Sequence, residues 1–411
     1  MAAETQPKRK KIKTAGTMKK LMADYFLELD RAAADPKRKV AWCTSVGPAE
    51  ILYALGFEVH FPENHAAMMG ATRTAMDHIP AANAVGYSPD ICSYLTSDVG
   101  GYLQGVTPLT QAYGIESVPK PDVLAYNTNQ CRDVQEWFSW WGRECDVPVV
   151  GITPPRSVGT LTAKVLDDVE AQFKWAAARL EEVAGRTLDP ARLRECVALS
   201  LEATLLWEDV LNAARNVPSP LTFFDGSIHM GPIVVLRGTQ KAVDYYKELK
   251  AEIDGRVKEG VAAVDGEAHR VYWEGMPIWG KLRTLSDLFS SLRTCVVAST
   301  YCNSWVFSSF DPDDPWRSMA KAYTEIFINR DEPFKEAYIE RLVKEFSADG
   351  VLFHDAKTCP SNSNSRYGMP QRLRNHLGVP TLVIQGDLND LRLYSEEQAT
   401  TNIEAFIEGM E

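Results

Sequence analysis

The chain has 411 residues, 45% of them hydrophobic and 24% charged, an ordinary globular composition with enough apolar side chains for two cores. Its formal net charge of −11 argues against a general nucleic-acid binder. No long uncharged apolar run occurs, so we expect a cytoplasmic protein that is neither secreted nor inserted into a membrane. The eight cysteines are then expected to be metal ligands or buried thiols rather than disulfides.

The first part of the chain predicts a basic tail followed by alternating strands and helices. Residues 1–30, with the basic stretch at 8–13, are expected to form a disordered tail in which the first helix begins. A helical pattern covers residues 49–55. Short apolar and β-branched runs predict strands at residues 40–42, 57–61, 122–126 and 147–152. This rhythm predicts a parallel sheet wrapped by helices.

The second part repeats the alternation after two long helical patterns. Apolar residues spaced by three and four over residues 160–184 and 189–214 predict a helical hairpin. Ser219-Pro220 marks the start of a second unit, with strands expected at 269–273, 294–298, 350–354 and 380–384, and a final helix at 396–408. We therefore predict an α/β protein with two parallel-sheet domains, residues 31–218 with the hairpin and residues 219–411.

Three cysteines stand where predicted strands or loops lead into helices. Cys359 ends the segment 349–359, Cys92 follows Asp90-Ile91, and Cys131 comes shortly after the strand at 122–126. A thiol in such a place points into the crevice where α/β proteins bind ligands, and a helix N-terminus favours the thiolate that binds metal. The three suit an iron–sulfur cluster with one open iron site, although buried unreactive thiols fit the pattern equally well. No compact CxxC run occurs, which excludes a ferredoxin-like carrier and a zinc ribbon.

Several segments, in the same order from about residue 35 to the C-terminus, carry a family resemblance. They are residues 42–50, 61–64, 90–94, 131–133, Ser219-Pro220, Gly231-Pro232, Arg237-Gly238-Thr239, Glu274-Gly275 and 349–359. Together they resemble the benzoyl-CoA reductase / 2-hydroxyacyl-CoA dehydratase family, above all a substrate-side subunit of ATP-dependent (class I) benzoyl-CoA reductase. The resemblance implies two similar Rossmann- or flavodoxin-like domains with parallel sheets.

The resemblance also implies a cofactor and a set of site residues. Matched position by position, Cys92, Cys131 and Cys359 would hold a [4Fe–4S] cluster, with the fourth iron left for water, sulfide or the substrate's thioester carbonyl. Ser45 and Glu63 match a serine and a glutamate of the dehydratase branch, where Ser45 would hydrogen-bond the thioester carbonyl and Glu63 would move a proton. By the residues alone, Ser45 fits an N-cap or turn and Glu63 a solvated loop carboxylate.

As a member of this family the chain would pass single low-potential electrons to a CoA thioester, dearomatising an aryl ring through a ketyl radical. The alternatives are a 2-hydroxyacyl-CoA dehydratase subunit, which eliminates water, and a non-catalytic electron-relay subunit of the same fold. Expected partners are a related cluster-bearing subunit, an ATP-hydrolysing activator, ferredoxin and an acyl-CoA substrate. No GxxxxGK[ST] or GxGxxG motif occurs, so we expect no nucleotide on this chain.

Other cysteines and aromatic residues give weaker predictions. Cys43 and Cys302 are nearer the predicted crevice, with Cys302 the better candidate for a spare ligand, whereas Cys145 and Cys196 are predicted to be packing residues. Trp273, Trp279, Tyr301 and Trp305 are candidates for an aromatic wall around an acyl ring, although burial in the core is expected for at least half of them.

Overall fold

The computed structural model describes residues 10–410, which contain two four-stranded sheets. The first contains β1 (Val40–Cys43), β2 (Glu58–His60), β3 (Val123–Asn127) and β4 (Val149–Ile152). The second contains β5 (His269–Glu274), β6 (Thr294–Ser299), β7 (Gly350–Ala356) and β8 (Thr381–Gly386). The inner strand β1 and the strand β6 are buried along their whole length. Strands that are buried on both faces of a parallel sheet have continuous apolar sequences. All eight lie where the sequence predicts strands.

The two sheets have the same topology. Their orders are β2-β1-β3-β4 and β6-β5-β7-β8, and every pairing is parallel. In each sheet the second strand lies on one side of the first strand, and the third and fourth strands lie on its other side. This is the strand order of flavodoxin-like sheets. The switch point therefore lies between β1 and β3 in one sheet and between β5 and β7 in the other. The predicted α/β fold with two similar parallel sheets is confirmed.

Helices surround both sheets. The α-helices of the first half are α1 (Ala15–Ala34), α2 (Ala49–Ala54), α3 (Pro62–Ala71), α4 (Ala75–Ala84), α5 (Ser93–Leu103), α6 (Pro108–Tyr113), α7 (Asp133–Cys145), α8 (Ala163–Ala184) and α9 (Pro190–Asn212). Those of the second half are α10 (Phe223–His229), α11 (Gly231–Val235), α12 (Gln240–Lys258), α13 (Leu282–Ser291), α14 (Thr300–Asn303), α15 (Pro315–Thr324), α16 (Glu332–Glu345), α17 (Met369–Leu377) and α18 (Glu396–Glu408). Short 3-10 helices lie at Ala213–Arg215, Trp279–Lys281, Phe327–Asn329, Pro360–Asn362, Asn364–Tyr367 and Leu391–Leu393.

Helices α8 and α9 are the two long helices predicted between the sheets. Thr162 caps α8 by accepting from the Val165 amide, and Asp189 caps α9 just before a proline at its first position. Helix α8 packs against β4 and α15, whereas α9 packs against α2 and α12. The pair thus joins elements of both halves, and the domain boundary at residues 218–219 stays a prediction.

The start of the described chain is packed against the second half. Ile12 is buried, and Glu252 of α12 accepts hydrogen bonds from the backbone amides of Lys13 and Thr14 at 2.7 Å each. The first backbone amides of a helix have no carbonyl partner within the helix, and these contacts satisfy two amides at the start of α1. The predicted disordered tail therefore differs from the structure at residues 10–14, whereas Lys8 and Arg9 lie outside the described residues. Over residues 10–410, no helix is long and apolar enough to cross a membrane.

Candidate functional site

A cavity of about 390 Å³ lies at the carboxyl ends of the inner strands of both sheets. Its lining includes Ser45 after β1, Cys131 after β3, Met276 after β5 and Cys359 after β7. These are the two switch points, where open α/β sheets bind ligands. The repeated topology thus directs two binding edges to one shared space.

The structure brings Cys92, Cys131 and Cys359 together around this cavity, which all three line. Cys92 is the N-cap of α5, Cys131 lies two residues before α7, and Cys359 precedes the 3-10 helix Pro360–Asn362. Each is partly exposed, and the cavity is the space they share. Residues separated by 267 positions in the chain, Cys92 and Cys359, therefore belong to one site.

A buried aspartate ties two of these cysteine loops together. Asp387, after β8, accepts from the Thr358 amide at 2.9 Å, from the Thr358 hydroxyl at 2.7 Å and from the Ser93 hydroxyl. The Ser93 amide in turn donates to the Thr358 hydroxyl at 3.0 Å. Ser93 follows Cys92 and Thr358 precedes Cys359, so these bonds fix the two cysteine backbones relative to each other.

The surroundings of the thiols suit metal-bound thiolates. Burial raises the pKa of Cys131 and of Cys359 to about 12 and the pKa of Cys92 as well, so the metal-free thiols hold their protons. A negative charge on Cys131 or Cys359 would raise the pKa of Cys92 further. The backbone N–H groups of Leu95, Val134 and Asn362 lower the pKa values of Cys92, Cys131 and Cys359 in turn, but less than burial raises them. Such amides stabilise a thiolate once metal replaces the proton.

The donor set fits a cluster better than a single ion. Within residues 10–410, no group of three His, Cys, Asp or Glu side chains is close enough to hold one metal ion. A cubane cluster binds each thiolate through a different iron, so its ligands stand farther apart than those of one ion. Three thiols around one cavity fit that requirement.

Ser45 and Glu63 contact each other at the cavity wall. The Ser45 amide donates a hydrogen bond to the Glu63 carboxylate. Burial nevertheless raises the pKa of Glu63 to about 7, because the charged form loses more hydration than its interactions with Ser45 and with the nearby Arg237 restore. Glu63 can therefore exist in both protonation states near neutral pH. The N-cap of α2 is Pro48, so Ser45 is a turn residue rather than a cap.

A fully buried arginine holds the Ser45 turn in place. Arg237, just after α11, donates through Nη1 to the Ser45 carbonyl at 2.8 Å and through Nη2 to the Gly47 carbonyl at 3.0 Å. Its Nε donates to the Tyr323 hydroxyl at 3.0 Å and lies 3.4 Å from the Glu50 carboxylate. The guanidinium charge is thereby paired, as a buried charge must be.

Most of the remaining wall is apolar. Met18 and Met22 come from α1, Met68 from α3, and Trp279 and Tyr301 from the second half. Trp305 also lines the cavity, whereas Trp273 does not and instead stacks on Phe223 with ring centroids 5.2 Å apart. Three of the four residues proposed for an aromatic wall therefore line the cavity.

The other cysteines lie away from this cavity. Cys43 is buried at the end of β1, and Cys302 is buried where its amide bonds the Ser299 hydroxyl, at 3.0 Å. Neither lines the cavity, so Cys302 is not placed to be a spare ligand. Cys196 is buried within α9, and Cys145 ends α7 half-buried, as packing residues do.

Three features of the site escaped the sequence analysis. Helix α1 supplies Met18, Met22 and Phe26 to the cavity wall, and their spacing of four is a helical signal. The sequence predicts a helix that begins within residues 1–30 but does not by itself connect these side chains with the site. Arg237 and Asp387 act through long-range hydrogen bonds, for which a single sequence offers no signal. The segment around Arg237 marks the family resemblance but not the role of this residue, and Asp387 lies in none of the segments that carry the resemblance.

Comparison with known proteins agrees with this architecture. Residues 44–410 match the family described as 2-hydroxyglutaryl-CoA dehydratase, D-component. The chain is 28% identical over 406 residues to the alpha subunit of lactoyl-CoA dehydratase from Anaerotignum propionicum, covering 96% of each chain. It is 29% identical over 396 residues to the (R)-2-hydroxyisocaproyl-CoA dehydratase alpha subunit of Clostridioides difficile, covering 95% of this chain and 94% of the other.

A reductase subunit is similar to the same degree. A subunit of benzoyl-CoA reductase from Thauera aromatica is 28% identical over 424 residues, covering 99% of this chain and 97% of its own length. Dehydratase and reductase subunits thus share this architecture over nearly their full length. Because the family match spans residues 44–410, the chain belongs to the 2-hydroxyglutaryl-CoA dehydratase D-component family, which unites substrate-side subunits of 2-hydroxyacyl-CoA dehydratases and benzoyl-CoA reductases.

Proposed function

We propose that this chain is the cluster-bearing, substrate-binding subunit of an ATP-dependent aryl-CoA reductase of the benzoyl-CoA type. The observation that carries the proposal is the meeting of Cys92, Cys131 and Cys359 with Ser45 and Glu63 around one largely apolar cavity. Three thiols alone suit an electron carrier. A serine and a titratable carboxylate beside them suit a site where a substrate also receives protons.

The residues divide the work between binding and proton transfer. A [4Fe–4S] cluster held by the three cysteines would supply single electrons of low potential. The Ser45 hydroxyl would hydrogen-bond the thioester carbonyl oxygen, where negative charge develops when the substrate accepts an electron. Glu63, with its pKa near 7, would hold or release the proton that accompanies the electron. The apolar wall would exclude water from the reduced substrate.

The proposed complex contains further subunits. The dehydratase and reductase relatives are each named as one subunit of an enzyme, and such names belong to parts of larger assemblies. We propose a related cluster-bearing subunit as the partner, an ATP-hydrolysing activator and ferredoxin as the electron donor.

A second candidate function is a 2-hydroxyacyl-CoA dehydratase subunit, a lyase. It is favoured by the relatives named as dehydratases, which are as similar to this chain as the reductase subunit is. The substrate-sized cavity beside the cysteines weighs against a third candidate, a pure electron relay, which needs no acyl site.

Reductant consumption separates the first two candidates. The chain is assembled with its partner subunit and activator under anaerobic conditions and given ATP, a strong reductant and benzoyl-CoA. A reductase consumes reductant in proportion to the substrate converted. Loss of water from a 2-hydroxyacyl-CoA with only a catalytic amount of reductant would replace the lead function by the second.

The cluster itself is tested by iron content. Cys131→Ser should remove most of the iron and the brown absorbance while the chain stays soluble, because one of three ligands is lost. Cys196→Ser, in the packed interior of α9, is the matched control and should keep its iron. Equal iron loss from both variants would mean that general destabilisation, not ligation, explains the result.

A further inference from the structure

We infer that the cavity selects CoA thioesters with an uncharged, apolar acyl group and rejects acyl groups that end in a second carboxylate. The inference rests on the proposed function insofar as the cavity is the acyl site, and it holds for both the reductase and the dehydratase reaction. It would exclude the 2-hydroxyglutaryl group from which the family takes its name.

The charges around the cavity disfavour an acyl group with a second carboxylate. Among the described residues that line it there is no Lys, Arg or His, and its only charged groups are the carboxylates of Glu63 and Asp133. A substrate carboxylate buried here would lose its hydration without gaining a counter-ion. Glu63 and Asp133 would also repel it whenever they are ionised.

Three cations near the cavity wall are already engaged in hydrogen bonds. Arg237 donates to the carbonyls of Ser45 and Gly47. Arg156, whose charge reaches Cys131, donates to the Thr128 carbonyl at 2.9 Å and to the Ser361 hydroxyl at 3.3 Å.

Lys335 is the third of these cations. It donates to the Asn364 amide oxygen at 3.2 Å and lies close enough to Glu274 for the two charges to interact. Bringing any of the three cations into the cavity would break bonds that hold the site or a buried network. None of these three cations is therefore a spare counter-ion for an acyl carboxylate.

The side chains of the cavity wall can adapt their shape to an aromatic ring. Five methionines line the cavity, namely Met18, Met22, Met68, Met230 and Met276, with Trp279 and Trp305 beside them. Thioether side chains are flexible and polarisable, and they make favourable contacts with aromatic rings. Such a wall can adjust to a ring that carries a small substituent, so we expect similar affinity for plain and methylated rings.

Binding of two matched pairs of thioesters tests the inference. The assembled, iron-loaded complex is titrated anaerobically, without reductant, against valeryl-CoA and glutaryl-CoA, which differ only in a terminal methyl or carboxylate. Glutaryl-CoA should bind at least about 100-fold more weakly, since an unpaired charge enters an apolar site. Benzoyl-CoA and 3-methylbenzoyl-CoA should bind within about 10-fold of each other, because methionine walls adapt to shape.

A charge placed in the wall should change the preference. Met68→Arg puts a cation in the cavity, where it can form an ion pair with the glutaryl carboxylate. The ratio of the Kd for glutaryl-CoA to the Kd for valeryl-CoA should therefore fall by about 10-fold or more. Leu205→Arg adds the same charge on an exposed position of α9 outside the cavity and should leave the ratio unchanged. If Met68→Arg does not fold, Leu282→Lys, another cavity residue, takes its place.

The outcomes distinguish this inference from the proposed function. Equal binding of valeryl-CoA and glutaryl-CoA, or a ratio that Leu205→Arg shifts as much as Met68→Arg, would overturn the selectivity and leave the acyl-CoA site standing. Failure of every acyl-CoA to bind to the iron-loaded complex would overturn the proposed function as well.

Discussion

Arg237 donates a hydrogen bond of 2.8 Å to the backbone carbonyl of Ser45, across 192 residues of the chain. The same guanidinium bonds the Gly47 carbonyl, so both ends of the turn after β1 are held by one side chain from the second half. Ser45 faces the cavity, and its position is thus set by a residue that does not line it. Arg237 is a positioning residue for the proposed site.

Replacing Arg237 by Lys should lower turnover without removing iron. A lysine keeps the charge but cannot bond two carbonyls and the Tyr323 hydroxyl at once, because it lacks the planar fork. A displacement of the turn by about 1 Å is expected to cost roughly 100-fold in rate. The measurement is kcat at saturating acyl-CoA, together with iron content per chain.

Arg270→Lys is the matched control. Arg270 is also buried and bonds the carbonyls of Phe346 at 2.9 Å and Ala214 at 2.6 Å, but it contacts no part of the cavity. Both variants should lose stability, whereas only Arg237→Lys should lose turnover per iron-loaded complex. A parallel fall in kcat for the two would reduce Arg237 to a structural role.

Ser45→Ala isolates the hydroxyl from the rest of the turn. The Ser45 amide still bonds Glu63 and its carbonyl still bonds Arg237, because both are backbone groups. Iron content should be unchanged, and turnover should fall by about 100- to 1,000-fold, the usual effect of removing one donor to a developing negative charge. Turnover within a few-fold of the unmodified enzyme would leave Ser45 as a turn residue only.

The sheets could be predicted because their signals are local. Runs such as Val40–Cys43 and Thr294–Ser299 are apolar and β-branched, and they are buried on both faces in the structure. Cys92, Cys131 and Cys359 could be chosen because parallel strands end at one edge of a sheet, which places the residues that follow them together.

The rest depends on contacts that no local pattern encodes. The capping of α1 by Glu252, which lies 238 residues from Thr14, orders a segment whose basic composition predicts a tail. The bonds of Asp387 to Ser93 and Thr358 likewise join loops from different halves. Pairings at such separations follow from the three-dimensional packing of the sheets, so the cavity wall and its supports could not be predicted.

Asp387→Asn should weaken cluster retention. The amide keeps the shape of Asp387, but one of its two acceptor positions becomes a donor and faces the hydroxyl of Ser93 or the amide of Thr358. The loops of Cys92 and Cys359 should then loosen, and losses of about 10- to 100-fold in metal affinity are typical of such supporting residues. Iron release to a chelator over time is the measurement.

Asp390→Asn controls for the loss of a nearby buried carboxylate. Asp390 is 4% exposed, and its side chain pairs with Arg392 rather than with a cysteine loop. Its variant should release iron at the unmodified rate. Equal release from the two aspartate variants would show that Asp387 has no special link to the cysteines.

Glu274, at the end of β5, gives the protein a pH-dependent stability. It is 1% exposed, accepts hydrogen bonds from Thr300 and Asn364, and burial raises its pKa from 4.5 to about 7. Lys335 opposes this shift without cancelling it. Since the folded state holds the proton more tightly, this contribution to stability is complete below about pH 4.5 and is lost as the pH rises to about 7.

Glu274→Gln should therefore be more stable than the unmodified chain at pH 8 and nearly equal to it at pH 5. Gln is neutral at both values, and the Thr300 hydroxyl can accept from its amide where it now donates to the carboxylate. The gain at pH 8 is expected to be about 2–4 °C in the unfolding temperature of a chain of this size. Thermal unfolding of the metal-free chain at the two pH values is the measurement. A gain of the same size at pH 5 would mean that packing, rather than the charge of Glu274, accounts for it.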